Sequence, residues 1–293
     1  MEIISLGYRT DFLFHRANGV VADRGDYLVV RTPDNPTFYW GNFVYFAMPP
    51  GPGDVRGWEE VFLAEIERLQ SESCHRAFGW NGARPDPVTI AEFTASGYEL
   101  IASLTMTTDD IRPPPRPNAV VTMRPLVSDA DYARAVALHV ECRESQYSEA
   151  EYREYVECNF AAYRRLADQG NGARFGAFLG EHLVGELGLF GDGDVARYQN
   201  VVTHPDARRQ GIAGTLVWRS GRVAVESGWG WTLVIVADPD ADAQRIYAAS
   251  GFVPAELHYG LQRHSAKTQR LMPVATAPAS PATAATFRAR RRR

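Results

Sequence analysis

The sequence predicts an α/β protein with two mixed-sheet segments in tandem, residues 1–112 and 119–268. A linker over 113–118 joins them, and a disordered basic tail follows over 269–293. Three observations lead there. Both segments alternate short β-branched or aromatic runs with stretches of helical apolar periodicity. Serial prolines interrupt the chain at Ile111-Arg112-Pro113-Pro114-Pro115-Arg116-Pro117, where neither helix nor sheet can continue. The final stretch, MPVATAPASPATAATFRARRRR, has little to bury.

The chain has 293 residues, 45% hydrophobic and 23% charged, enough to build a core without staples. No apolar run reaches the ~18–20 residues of a membrane span, and the start MEIISLGYRTDF lacks the pattern of a secretion signal. Three cysteines, Cys74, Cys142 and Cys158, form no CxxC pair, which fits free thiols and a cytoplasmic setting. The net charge of −4 hides an asymmetry. Five of the 31 basic residues are arginines in the last 22 positions, which leaves 26 against 35 acidic residues, a net of −9. An acidic body argues against duplex DNA or RNA as the main partner and is compatible with attracting a cationic small molecule.

In the second segment, Val120–Met123 reads as a short strand. A Ser128/Asp129 cap opens a helix to Arg143, with Ala133, Val136, Ala137 and Val140 on one face. A second helix runs from Glu149 to Asp168 and stops before Gly170. Strands at Ala173–Leu179 and His182–Phe190 join through Gly180-Glu181, and Ala196–Thr203 follows. Gly211 to Glu226 is helical, Trp231–Val236 is a strand buried on both faces, and Asp240 to Ser250 is a short helix. One or two strands over Phe252 to Gln262 close the segment. The order ends in βαβαβ, whose parallel crossover is right-handed and places ligands at the strands' carboxyl ends.

The most informative stretch is Thr203-His204-Pro205-Asp206-Ala207-Arg208-Arg209-Gln210-Gly211-Ile212-Ala213-Gly214. A strand ends, a proline turn follows, and a basic, glycine-bearing loop enters a helix. The first helical amides lack intrahelical partners, and with the dipole they favour an anion. Gly211 and Gly214 let a phosphate approach the backbone, while Arg208 and Arg209 add charged donors. The pattern is neither a Walker A loop nor GxGxxG. On spacing alone, an ordinary helix start remains an open reading.

Arg208-x-x-Gly211-x-Ala213 resembles the R/Q-x-x-G-x-G/A signature of the GCN5-related N-acetyltransferases. Asp240-x-x-Ala243-x-x-x-Tyr247-x-x-x-Gly251-Phe252 is similar to the family's second signature, N-x-x-A-x-x-x-Y-x-x-x-G-F. The resemblance covers about residues 119–265. It implies an acyl-CoA N-acyltransferase-like fold with acetyl-CoA as co-substrate, no metal, and a small-molecule primary amine as acceptor. Pantetheine would pair with the backbone of Val201, Val202 and Thr203, and the pyrophosphate would rest on Arg208, Arg209, Gln210, Gly211, Ile212, Ala213 and Gly214. An amide of Val202 or Thr203 would polarise the thioester carbonyl. The amine would attack directly through a tetrahedral intermediate.

Tyr247 matches the family tyrosine that protonates the departing thiolate, although core packing is the competing reading. Asp240 stands where the family usually has Asn, and Asp238 and Asp240 could instead cap the helix around Pro239. The resemblance names no certain base, and Glu186 is the best available carboxylate. Tyr198 and Gln199 are candidates for the acceptor site, without a choice between them. The family's acceptor side maps to Glu141, Glu144, Gln146, Tyr147, Glu149 and Glu151, an acidic rim that suits a cation, with a plain solvated face as the competing reading.

In the first segment, Asp26–Arg31 and Phe38–Met48 read as strands, Gly57 to Gln70 as an amphipathic helix, His75–Trp80 as a strand and Thr89 to Ser96 as a helix. The order β-loop-αβαβ resembles a degenerate copy of the same fold. Its loop Pro49-Pro50-Gly51-Pro52-Gly53-Asp54 lacks the arginine signature, and its prolines remove amides. This copy is expected to have lost CoA and to shape or cover the acceptor site, with an unrelated α/β domain as the alternative. The alternative function is a non-catalytic CoA-binding regulatory or interaction module.

Overall fold

A computed structural model describes residues 1–264 apart from 74, 145 and 146. The expected tail, Cys74 and Gln146 lie outside the described residues. The elements in chain order are α1 (Leu6–Asn18), β1 (Val20–Asp23), β2 (Tyr27–Arg31), β3 (Phe43–Phe46), α2 (Val55–Phe62), β4 (Arg76–Trp80), α3 (Pro87–Ala95) and β5 (Glu99–Thr108). After the linker come β6 (Thr122–Pro125), α4 (Asp129–Glu141), α5 (Glu149–Asp168), β7 (Gly172–Leu179), β8 (His182–Asp192), β9 (Val195–Thr203), α6 (Ile212–Glu226), β10 (Thr232–Ala237), α7 (Ala243–Ala249) and β11 (Val253–Arg263).

All eleven strands form one sheet in the order β1-β2-β3-β4-β11-β5-β10-β9-β8-β7-β6. Read outward from its centre, the order shows two halves related by a pseudo-twofold axis between β5 and β11. Each half supplies its last strand to the other: β5 lies against β10, and β11 lies against β4. The N-terminal half repeats the order α-β-β-β-α-β-α-β of its partner and lacks the counterparts of β6 and α4.

Alternate residues along the strands feed opposite faces. On one face α2 and α3 cover Val29, Val44 and Phe78, while α6 and α7 cover Tyr198, Leu233 and Ile235. On the other face α1 covers Leu28, Val30 and Tyr45, and α4 and α5 pack on Phe178 and Phe190.

Local chemistry accounts for the helix starts. Ser128 and Asp131 form a reciprocal capping box at α4, and Asp86 accepts from the amides of Val88 and Thr89 at α3. The sequence assigns no element to residues 1–25, yet α1 and β1 lie there. Helix α1 buries Gly7, Tyr8, Thr10, Phe12, Phe14 and His15, which face the sheet and α5 together. A helix buried on several sides carries no single apolar stripe. The predicted strand Phe38–Met48 is shorter, because Tyr39–Gly41 is a 3-10 turn held by Asn42, whose side-chain amide donates to the carbonyls of Asn35 and Phe38.

Candidate active site

Strands β9 and β10 are parallel and pair only at Val195–Thr232, Ala196–Leu233 and Arg197–Val234. Beyond those positions their facing edges part. The cause is on β9, where the register with β8 jumps between Glu186 and Gly188 and Asn200 takes a φ of 52°. The extra residue is a β-bulge, which bends its strand. The result is a wedge between the carboxyl halves of β9 and β10. The amide of His204 donates to the carbonyl of Val184, and Glu186 pairs with Val202. By alternation, the N–H of Thr203 therefore points into the wedge.

The loop after Thr203 contains two left-handed residues, Arg209 at φ 60° and Gly211 at φ 77°. Such turns direct successive amides into one concavity. Among the described residues, no peptide N–H from Arg209 to Gly214 donates to any partner. Arg208, Arg209 and Gln210 are exposed, Gly211 and Ala213 half-buried, Ile212 and Gly214 buried. Arg208 folds back, with its Nε donating to the Thr203 carbonyl at 3.2 Å.

The linker forms one wall of this cradle. Pro114 lies against Gly214, and the amide of Asn118 donates to Thr215 Oγ1 at 2.8 Å. Asn118 Nδ2 donates to the Gln210 carbonyl at 2.8 Å. A Cβ at Gly211 would collide with the carbonyl oxygen of Arg116.

The corresponding loop of the N-terminal half differs. There the amide of Gly51 donates to Asp54 and that of Gly53 to Glu92, each at 2.7 Å. Carboxylates of the chain itself take these donors. Strands β3 and β4 also pair to their last residues, Phe46 with Trp80, so no wedge opens.

Tyr247 lies on α7 with 2% of its surface exposed, in the core cluster with Tyr198 and Phe252. Its hydroxyl has no partner among the described residues, but its oxygen is not one of the sealed, partnerless atoms. Burial raises its pKa, so it remains a proton donor at neutral pH. Asp240 is exposed in the turn before α7, and its amide donates to Asp238 Oδ1 at 2.8 Å. The helix begins at Ala243, three residues later than expected, because this turn holds the chain outside helical geometry.

Glu186 has another role than the predicted base. It is fully buried, and Arg174 grips both oxygens at 2.5 and 2.6 Å while His139 Nε2 lies 2.9 Å from one of them. Burial alone would raise its pKa, but Arg174 and His139 outweigh that and hold the carboxyl below its ordinary range. Phe160 and Tyr163 of α5 flank the Arg174 guanidinium at 4.1 and 4.8 Å. A carboxylate so enclosed ties α4 and α5 to the sheet and has no surface open to a substrate.

Two carboxylates of the expected acidic rim are engaged in pairs with the chain itself. Glu141 lies 3.5 Å from His204, and Glu149 pairs with Arg143 and Arg153. The cavity lies elsewhere, on the α1/α5 face below the wedge, and measures about 60 Å³ as space open to the centre of a water molecule. Gln199 and Val236 line it from the two parted strands, so Gln199 faces the cavity. Tyr198 points the other way, its hydroxyl donating to the Val217 carbonyl at 2.7 Å. The remaining lining includes Asp11 and Phe14 of α1, Trp40, Tyr163 of α5 and His258 of β11. These residues were missed because they are local to nothing: the cavity assembles from both ends of the chain.

A model of the acetyltransferase (GNAT) family matches residues 133–252. Residues 133–252 belong to the GNAT family. That match contains the parted strands, the free amides and Tyr247. Among solved structures, a GCN5-related N-acetyltransferase from Kribbella flavida is 17% identical over 90% of this chain and 98% of its own, with a TM-score of 0.62. A conserved protein of unknown function from Staphylococcus epidermidis is 16% identical over 84% and 94%, with a TM-score of 0.67. A GCN5-related N-acetyltransferase from Sphaerobacter thermophilus is 16% identical over 87% and 85%, with a TM-score of 0.55. At these identities the likeness concerns the fold, and it spans both halves. No curated protein matches the sequence significantly. The match over residues 133–252 suggests an acyltransferase domain. No helix among the described residues is long and apolar enough to cross a membrane.

Proposed function

We propose that the protein is an N-acetyltransferase that moves the acetyl group of acetyl-CoA to a primary amine of a small molecule. The observation that carries this reading is the run of partnerless amides from Arg209 to Gly214 at the mouth of the wedge. Acetyl-CoA supplies an activated thioester, and this chain's residues bind, orient and protonate. The amides from Arg209 to Gly214, with Arg208 and Arg209, hold the pyrophosphate. The exposed edges of Val201, Val202 and Thr203 receive pantetheine as an added strand. The outward N–H of Thr203 donates to the carbonyl oxygen as negative charge develops there.

Tyr247 keeps its proton at neutral pH and delivers it to the departing sulfur. The cavity below the wedge presents the amine from the opposite face of the sheet, so acceptor and donor meet through the gap. Its concave, largely apolar lining with a few polar groups suits a small-molecule acceptor.

The test is calorimetry with acetyl-CoA, followed by a thiol-release assay over a panel of amines. Binding with amine-dependent release supports transfer. Binding without release from any amine discards transfer and leaves a CoA-binding module.

A further inference from the structure

We infer that His258 is the proton acceptor of this transfer, serving an amine carried on a flat apolar body in the cavity between α1 and α5; this rests on the acyl-transfer reading above. His258 is 6% exposed and lines that cavity. Its Nδ1 lies 3.1 Å from Thr105 Oγ1, and Thr105 Oγ1 lies 3.4 Å from Glu256 Oε1. In the proposed arrangement the single hydroxyl proton of Thr105 goes to Glu256, which can only accept. Thr105 then accepts from the Nδ1–H of His258. That fixes the tautomer and leaves Nε2 as a bare lone pair, with no partner among the described residues.

The arrangement is built across the whole chain. Thr105 lies on β5, His258 and Glu256 on β11, and the two strands are neighbours only because the halves exchange them. Gly7 at the start of α1 leaves room for the imidazole, since a Cβ there would collide with its ring. The amide of Gly7 and the hydroxyl of Ser5 donate to Glu256 at 2.7 and 2.8 Å, which fixes the carboxylate. Tyr8 packs edge-on against the ring at 5.0 Å.

The charges around the cavity point to the acceptor class. Asp11 is paired with Arg197 at 2.8 Å, so no unpaired carboxylate awaits a permanent cation. His15 is held neutral by burial and by Arg16 and Arg197. The other charged or titratable groups about His258 are Arg197 on β9, Tyr8 on α1, Tyr163 on α5 and Glu256, with Tyr45 on β3 near Glu256. Burial, against the pull of Glu256, brings His258 down to about 4, so it is a free base at neutral pH. Phe14, Phe38, Trp40, Phe43 and Tyr163 supply aromatic walls.

Such a cavity disfavours an ammonium, so the acceptor is held as the free amine. When its lone pair forms the N–C bond, the nitrogen becomes positive and acidic, and His258 Nε2 takes one proton. Glu256, 3.9 Å from Nδ1, stabilises the imidazolium. The C–S bond breaks with its electron pair on sulfur, and Tyr247 supplies the thiol proton. Imidazolium and phenolate return to their starting states by exchange through solvent.

The experiment compares wild type, His258→Ala and Thr105→Val, with phenethylamine as acceptor and spermidine as the polar control. His258→Ala should retain acetyl-CoA affinity and lose turnover by ~100-fold, with partial rescue by added imidazole. Thr105→Val should lower kcat with little change in KM. If His258→Ala does not fold, His258→Gln takes its place with the same expected loss. Nitrogen-15 NMR of the histidine ring should show the Nδ1–H tautomer. Undiminished turnover in the His258 variants, or an Nε2–H tautomer, overturns the base assignment. Preference for spermidine overturns the acceptor class. A wild type that acetylates no amine instead defeats the transfer reading itself, and the two failures are thereby distinct.

Discussion

Phe46 and Trp80 pair at the last positions of β3 and β4, which closes the N-terminal half at the point where β9 and β10 lie apart. Together with the carboxylates of Asp54 and Glu92 on the neighbouring amides, this pairing leaves that half no place for a pyrophosphate. Calorimetry should therefore give one acetyl-CoA per chain. Gly211→Glu should abolish that single event, since it sets bulk and negative charge on the remaining cradle. A stoichiometry of two, or wild-type affinity in the variant, contradicts the placement.

Tyr247→Phe should lower turnover by ~10–100-fold and leave acetyl-CoA affinity unchanged. The ring still fills its place between α7 and Phe252, so the fold should persist. An unaltered rate means that another group caps the thiolate, and Tyr247 is then core alone.

Glu186→Gln should act on stability. Removing one charge of a fully buried ion pair leaves Arg174 uncompensated, at a cost of about 3 kcal/mol, or roughly 10 °C in Tm. The kcat of the folded variant should match wild type. A large loss of kcat at unchanged Tm would restore Glu186 to the chemistry.

Acid should weaken the fold at mild pH. Burial lowers His15 to about 3, and His75 and His258 to about 4. Unfolded histidines titrate near ~6.5, so between that value and about 4 the unfolded chain binds protons that the folded one refuses. Stability is fully present above the unfolded value and falls as pH drops through the window. The slope approaches ~1.4 kcal/mol per pH unit for each histidine. Urea denaturation at pH 7.5, 6 and 5 measures it, and a flat profile would exclude three neutral buried imidazoles.

The helices with local start signals were legible. Ser128 opens α4 where the sequence places its cap, and α5 spans Glu149–Asp168 as predicted. The strands flanking Gly180-Glu181 were legible too, because a tight turn fixes them. Helix α1 was not, since its buried residues face several neighbours at once. Glu186 was misread for a related reason: a carboxylate in a strand shows its charge in the sequence, whereas its partners Arg174 and His139 arrive from other elements.

By itself the sequence marked the loop from Thr203 to Gly214 as the place where a strand ends and a glycine-bearing turn enters a helix. A strand end, a proline turn and left-handed residues at Arg209 and Gly211 shape this backbone locally, and its amides from Arg209 to Gly214 have no partner among the described residues. Only the tertiary structure decided which half stays open, which carboxylate is structural, and which residues line the cavity. Those depend on the exchange of β5 and β11, which brings Gly7, Thr105 and His258 together. Contacts at such separations come from packing two halves into one sheet, and no local pattern encodes them.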